Sequence, residues 1–228
     1  NGVTLDLRGA CLHHDNGPLG AVSVADAEER RVRLLKAAGF NAIRSAHNPA
    51  SRALLDACDL HGVIVMDELT DVWTKSKTSF DASIGFDERW QRDIAALVAK
   101  DINHPSVVLY SIGNEILELA TPHGATWSRR LAEEFRALDP TRFITNGING
   151  IIANLDRIGE AMAEAEASDP NTMMANMGEK MALANASSLV TDSTEESAAV
   201  LDVVGFNYAD SRYALDAELF PNRVIVGS

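Results

Sequence analysis

The amino-acid sequence predicts an α/β protein, a parallel (β/α)8 barrel of which this chain carries about seven strands. Three observations predict it. Short apolar runs alternate with helical patterns, polar residues stand at the carboxyl ends of most runs, and 228 residues suffice for one domain with a substantial core. Barrels of this kind run to about 250 residues. The most informative strand end is Gly113-Asn114-Glu115, which closes the run 107–112. In a parallel barrel, residues just past different strands converge on one mouth, where the chemistry is done.

Strands are expected at 5–10, 41–45, 63–67, 107–112, 142–146, 202–207 and 223–228. Asp26 and Glu29 make a capping-box-like start to a first helix, Val32, Leu35 and Ala38 follow at helical spacing, and Gly39 marks its exit. A second helix should run from Ser51 to His61 and stop at Gly62. A third begins near Asp87 with Trp90, Ile94, Leu97 and Val98 on one stripe; a fourth carries Trp127, Leu131, Phe135 and Leu138 before Asp139-Pro140 ends it. Ser193 and Glu196 suggest the cap of a short helix before Asp202, and residues 151–192 read as an alanine- and methionine-rich helical insertion, longer than an ordinary connection. No repeat or low-complexity linker marks a second domain in 1–228. Closure needs an eighth strand, and the run 224–228 stops at what should be a strand end, so further chain is expected after Ser228.

Composition narrows the class. Lys and Arg number 20 against 33 Asp and Glu, a net charge of −13, and the acidic residues are spread through predicted helices, which argues against nucleic acid as a partner. No apolar run approaches the roughly 18 residues of a membrane span, and no basic region followed by an apolar one opens the chain. No membrane partner is therefore expected; the compartment stays open, with cytoplasmic as the default. Cys11 and Cys58 imply neither a disulfide framework nor a thiolate metal site, and both read as buried small apolar residues.

The strand ends gather His13, His14 and Asp15; His47 and Asn48; Asp67, Glu68, Asp71 and Trp73; Asn114 and Glu115; Asn146 and Asn149; Asn207 and Tyr208. Carboxylates, amides, imidazoles and an aromatic face around one mouth suit a sugar, whose hydroxyls need placed donors and acceptors and whose C–H face packs on a ring. The imidazoles do not suit a metal. Adjacent residues of an extended segment point to opposite faces, so His13 and His14 should not share an ion, and no cofactor is expected. A metal-dependent barrel hydrolase would need a His-x-His pair on the first strand, which is not present.

Four ordered motifs resemble family 2 of the glycoside hydrolases: Arg8-Gly9-Ala10-Cys11-Leu12-His13-His14-Asp15, Asn41-Ala42-Ile43-Arg44-Ser45-Ala46-His47-Asn48-Pro49, Val65-Met66-Asp67-Glu68, and His104-Pro105-Ser106 leading to Ile112-Gly113-Asn114-Glu115. The pair His13-His14 before Asp15, with Leu19-Gly20-Ala21 following, and Asp67-Glu68 with Asp71 and Trp73, look most like the β-galactosidase branch. The resemblance implies a TIM-barrel catalytic domain and a retaining exo-β-glycosidase with Glu115 as acid/base. It implies that the nucleophilic Glu directly follows Ser228, so that the chain as given should have little activity. It also implies that Asn114 bonds the sugar 2-hydroxyl, that His13, His47, Asp71 and Trp73 line the pocket, and that Tyr208 and Arg44 support the nucleophile. Asp67 and Glu68 either bind hydroxyls or hold Arg44 and neighbouring loops. Some members hold magnesium through a Glu and a His after the third strand, where the matching position here is Val72. The alternatives are a β-glucuronidase or β-mannosidase of the same family, a non-catalytic carbohydrate-binding barrel fragment, and a metal-dependent barrel hydrolase. Flanking β-sandwich domains and oligomerisation are expectations for the full-length protein.

Overall fold

The computed structural model describes residues 2–158 and 177–228. Seven strands, β1 (Gly9–His13), β2 (Ala42–Ala46), β3 (Ile64–Glu68), β4 (Val107–Asn114), β5 (Phe143–Ile148), β6 (Val204–Phe206) and β7 (Ile225–Gly227), form one parallel sheet in sequence order. Each crossover passes through helix: α1 (Ala25–Ala37), α2 (Arg52–His61), α3 (Phe86–Asp101), α4 (Pro122–Leu138), then α5 (Met177–Asn185) and α6 (Ser188–Ala198), and finally α7 (Tyr213–Leu219). This is an incomplete TIM barrel with β1 and β7 at its edges.

The core lies between sheet and helices. Val65, Val107 and Ile144 from the strands meet Leu55, Ile94, Leu97, Leu131 and Phe135 from the helices, all buried. Tyr110 stacks on Phe135 with ring centroids 4.9 Å apart, and Trp127 meets Phe86 and Trp90. Each such side chain contributes roughly 1.5–3 kcal/mol by leaving water. The expected stripes of α3 and α4 therefore face inward, except that Leu138 at the last turn of α4 is exposed.

Local chemistry fixes the helix ends. Ser51 caps α2 by accepting from Leu54 N at 3.1 Å, and Gly62 ends it at φ +65, a conformation that costs little only for glycine. Thr121 caps α4 ahead of Pro122. Two expected starts are corrected. Val24, not Asp26, precedes α1 and no side chain caps it, so Asp26 lies within the first turn and acts there through its charge. Ser187 caps α6 through Val190 N, which leaves Ser193 and Glu196 inside that helix. Of the segment 151–192, a short 3-10 turn (Ile152–Asn154), α5 and the start of α6 are helical; residues 159–176 lie outside the described part.

The first strand is also shifted. It begins at Gly9 because pairing with β2 begins there, Gly9 opposite Ala42 and His13 opposite Ala46, while Leu5 and Leu7 are exposed. β6 and β7 are shorter than the apolar runs that announce them, since only 204–206 and 225–227 find ladder partners. Among the described residues, no helix is long and apolar enough to cross a membrane.

On the outer side of β3, Asp67 is wholly buried. It accepts from Ala50 N at 2.7 Å and from Lys100 Nζ at 2.9 Å, and Lys100 also bonds Asp101. Burial first, and then the Asp67 charge, push the Asp101 carboxyl well above the ordinary carboxylate range. The folded state thus keeps a proton that the unfolded chain releases near pH 4, and stability falls as pH rises from there toward the raised value. Asp101→Asn should flatten that fall, read as the difference in urea midpoint between pH 5 and pH 8; an unchanged slope would exclude Asp101 as its source.

Candidate active site

Alternation along the strands sorts the residues of the mouth. In β3, Glu68 faces the barrel interior and Asp67 the helices. Arg44 on β2 reaches the same interior and is 5% exposed, so its charge must be matched. Its Nη2 donates to Glu68 Oε2 and to Asn114 Oδ1, both at 2.8 Å. Its Nη1 donates to Ser228 Oγ at 2.8 Å and Asn207 Oδ1 at 3.1 Å. One guanidinium thereby joins β2, β3, β4, the residue after β6 and the residue after β7. Glu68 also accepts from Ser111 Oγ and bonds His47 Nδ1, each at 2.8 Å.

Asn114 and Ser111 both point at this cluster although three residues separate them. Strict alternation would send one of them outward. A register shift against β5 resolves this: Ser111 pairs with Thr145 and Asn114 with Gly147, so β4 spends one more residue than its partner and turns Asn114 inward. Gly147 makes room, since a Cβ there would lie 2.5 Å from Arg44 Nη2.

Glu115 follows at φ +46, a conformation that a side chain adopts at a cost of roughly 1–3 kcal/mol unless its surroundings hold it. They do hold it. Its N–H donates to Gly147 O at 2.7 Å, and its Oε1 accepts from Asn149 Nδ2 at 2.9 Å and Asn207 Nδ2 at 3.3 Å. The Asn207 amide also accepts from Ser228 Oγ at 2.7 Å, so a single side chain spans the Glu115 carboxylate and the end of β7. Beneath the cluster, a cavity of about 310 Å³ runs between β1 and β7, lined by Cys11, Arg44, Met66, Leu109, Val226 and Ser228 among others.

Around this centre, Asp71 Oδ1 accepts from Asn114 Nδ2 at 2.8 Å and from Lys77 Nζ at 2.7 Å. His13, exposed, sets its ring edge-on to that of His47 at 5.2 Å, while His14 bonds the carbonyl of Asn48. Tyr208 is 72% exposed at φ +54, and its N–H donates to Ser228 O at 3.3 Å. Asp67 stands apart from the pocket and holds the loop at Ala50.

Three expectations are corrected here. Trp73 is completely buried, its Nε1 donating to Ile112 O at 2.8 Å, so its faces are taken up by the core and it is no sugar platform in this structure. Cys11 is exposed, because the inner side of the edge strand β1 opens on the cavity; Cys58 is buried, and burial pushes its thiol up to about 12. Asn146 faces away from the mouth, since Gly147 next to it faces Arg44, and it is buried with neither amide atom bonded. Asn149 and Asn207 stood among the strand-end residues without an assigned role, and their position was the available signal. Ser111, Lys77 and Gly147 gave none.

Among the described residues, the His, Cys, Asp and Glu side chains that come together closely enough for an ion are Asp56, Asp59 and His104, at the other end of the barrel. Asp59 there accepts from Ser106 N and pairs with His104 Nδ1 at 2.7 Å. Burial raises its carboxyl, but these bonds prevail and hold it below the usual range, a structural tie between α2 and the start of β4. Val72, at the position considered for a magnesium ligand, is buried and apolar.

Comparison with known proteins agrees with this architecture. A family model described as "Glycosyl hydrolases family 2, TIM barrel domain" matches residues 1–204. A family 2 glycosyl hydrolase of known structure from Bacteroides cellulosilyticus superposes with a TM-score of 0.80 and 39% identity over 100% of this chain and 24% of its own. The β-galactosidase BoGH2A of Bacteroides ovatus is 48% identical over 52% of this chain and 14% of its own length. A β-glucuronidase of Bacteroides fragilis is 30% identical over 72% of this chain and 24% of its own. The chain thus spans a quarter or less of these relatives. With the matched residues covering most of its length, the polypeptide belongs to family 2 of the glycosyl hydrolases, of which it carries seven strands of the TIM barrel domain.

Proposed function

We propose that this chain provides the proton-donating side of a retaining exo-β-glycosidase that removes terminal β-D-galactosyl groups. The observation that carries the reading is the Asn207 amide, which bonds both Glu115 Oε1 and Ser228 Oγ while Arg44 reaches Ser228 as well. A retaining enzyme needs two carboxyl groups about 5–5.5 Å apart. The reading puts the second, a Glu, directly after Ser228, where Arg44 and Asn207 converge to orient it and keep it ionised.

Glu115 gives its proton to the glycosidic oxygen as the C–O bond breaks, while the second carboxylate attacks the anomeric carbon. Glu115 then takes a proton from water as that water releases the sugar. Asn114 has one amide hydrogen beyond the one given to Asp71, and this hydrogen serves the 2-hydroxyl. His13, His47 and Asp71 contact the remaining hydroxyls.

Charge favours a neutral sugar. The two cations of the described site are already paired, Arg44 with Glu68 and Lys77 with Asp71, and the half-exposed Asp71 carboxylate would repel a uronate. The 30% identity to a β-glucuronidase keeps a glucuronide as the second reading. A panel of nitrophenyl β-galactoside, β-glucuronide and β-mannoside on the full-length enzyme should give the highest kcat/KM on the galactoside. Preference for the glucuronide would overturn the sugar assignment, and inertness on all three would overturn the hydrolase reading.

A further inference from the structure

We propose that Lys77 is a positioning residue for proton donation: seated between Asp71 and the backbone of Asn114, its ammonium fixes the peptide that carries Glu115. The inference rests on Glu115 being the proton donor. Lys77 lies on the loop between β3 and α3, far in sequence from Glu115, and its side chain is 20% exposed. Its Nζ donates to Asn114 O at 2.7 Å and to Asp71 Oδ1 at 2.7 Å, while Asp71 accepts from the Asn114 side chain. Asn114 is thus gripped by backbone and amide at once. The carbonyl held by Lys77 belongs to the peptide bond leading into Glu115, whose φ of +46 needs an external restraint.

The loop is built to deliver the lysine. Asp81 Oδ2 accepts from Lys77 N at 2.7 Å and Thr78 N at 2.9 Å, and Asp81 Oδ1 accepts from Ser83 N and Oγ. Those bonds, that from the Ser83 hydroxyl foremost, hold the Asp81 carboxyl below its ordinary range, so the turn keeps its anchor down to acid pH. A long amine on a flexible surface loop would gain little from a lone ion pair, but a tied turn has already lost its freedom and can hold the head group in place.

In the full-length enzyme, Lys77→Met should lower kcat/KM on an alkyl galactoside by about tenfold, because the peptide carrying Glu115 loses its restraint. Lys77→Met should also cost about tenfold more on an alkyl galactoside than on a dinitrophenyl one, whose leaving group needs no proton. Lys77→Arg, which keeps a donor at that place, should restore most of the rate on the alkyl galactoside. Equal losses on the two substrates, or no recovery in Lys77→Arg, would overturn the proposal. Glu115→Gln is run beside them: if it too treats both leaving groups alike, the acid assignment itself has failed, and if only the Lys77 variants do, the assignment stands and this inference falls.

Discussion

Glu115→Gln in the full-length enzyme is expected to lower kcat/KM on an alkyl β-galactoside by roughly 10²–10⁴, the range that a positioned general acid contributes. The glutamine keeps the shape and can still meet the amides of Asn149 and Asn207, so folding should be unaffected. What it lacks is a proton to give. On a dinitrophenyl galactoside, whose departing phenolate is already stable, the first step needs no acid, and the loss should shrink by at least tenfold. Burst kinetics on that substrate would then show the covalent intermediate accumulating, because the base needed for its hydrolysis is also gone. Equal losses on both substrates would remove Glu115 from the role.

Arg44→Met should have the largest effect on stability. Arg44 and Glu68 are buried, with side chains 6% and 0% exposed, and they share a 2.8 Å contact. Removing one partner of such a buried pair costs about 3–5 kcal/mol, because Glu68 loses its guanidinium and keeps only Ser111 Oγ and His47. The methionine also leaves Asn114, Asn207 and Ser228 without the donor that joins them. If the stranded carboxylate is the cause, Arg44→Met combined with Glu68→Leu should recover most of the loss in urea unfolding while activity stays absent. A loss under about 1 kcal/mol in the single variant would show that the ion pair contributes little to the fold.

The barrel was legible because its signals are local. A cap at Ser51, a left-handed exit at Gly62, the helical stripe ending in Leu97 and Val98, and the apolar run before Asn114 each declare an element without reference to the rest of the chain. Where the reading slipped, the deciding contact was distant. Leu5 and Leu7 alternate like a strand, but β1 forms where β2 offers partners. Glu115, Asn114, Arg44 and Glu68 could be picked out by their place at or near strand ends. The burial of Trp73 could not, since its indole is claimed by Ile112 O, 39 residues on.

The sequence by itself determined that strands alternate with helices, that the chain falls in family 2, and that one mouth gathers carboxylates, amides and imidazoles. Only the tertiary structure decided which of these residues meet: the bulge that turns Asn114 toward Arg44, the glycine at 147 that admits the guanidinium, and the reach of Lys77 to the peptide before Glu115. Periodicity and capping act over a few residues and can be read along the chain. A register shift of one residue or a donor brought from another loop depends on how whole elements pack, and no short stretch of sequence carries that information.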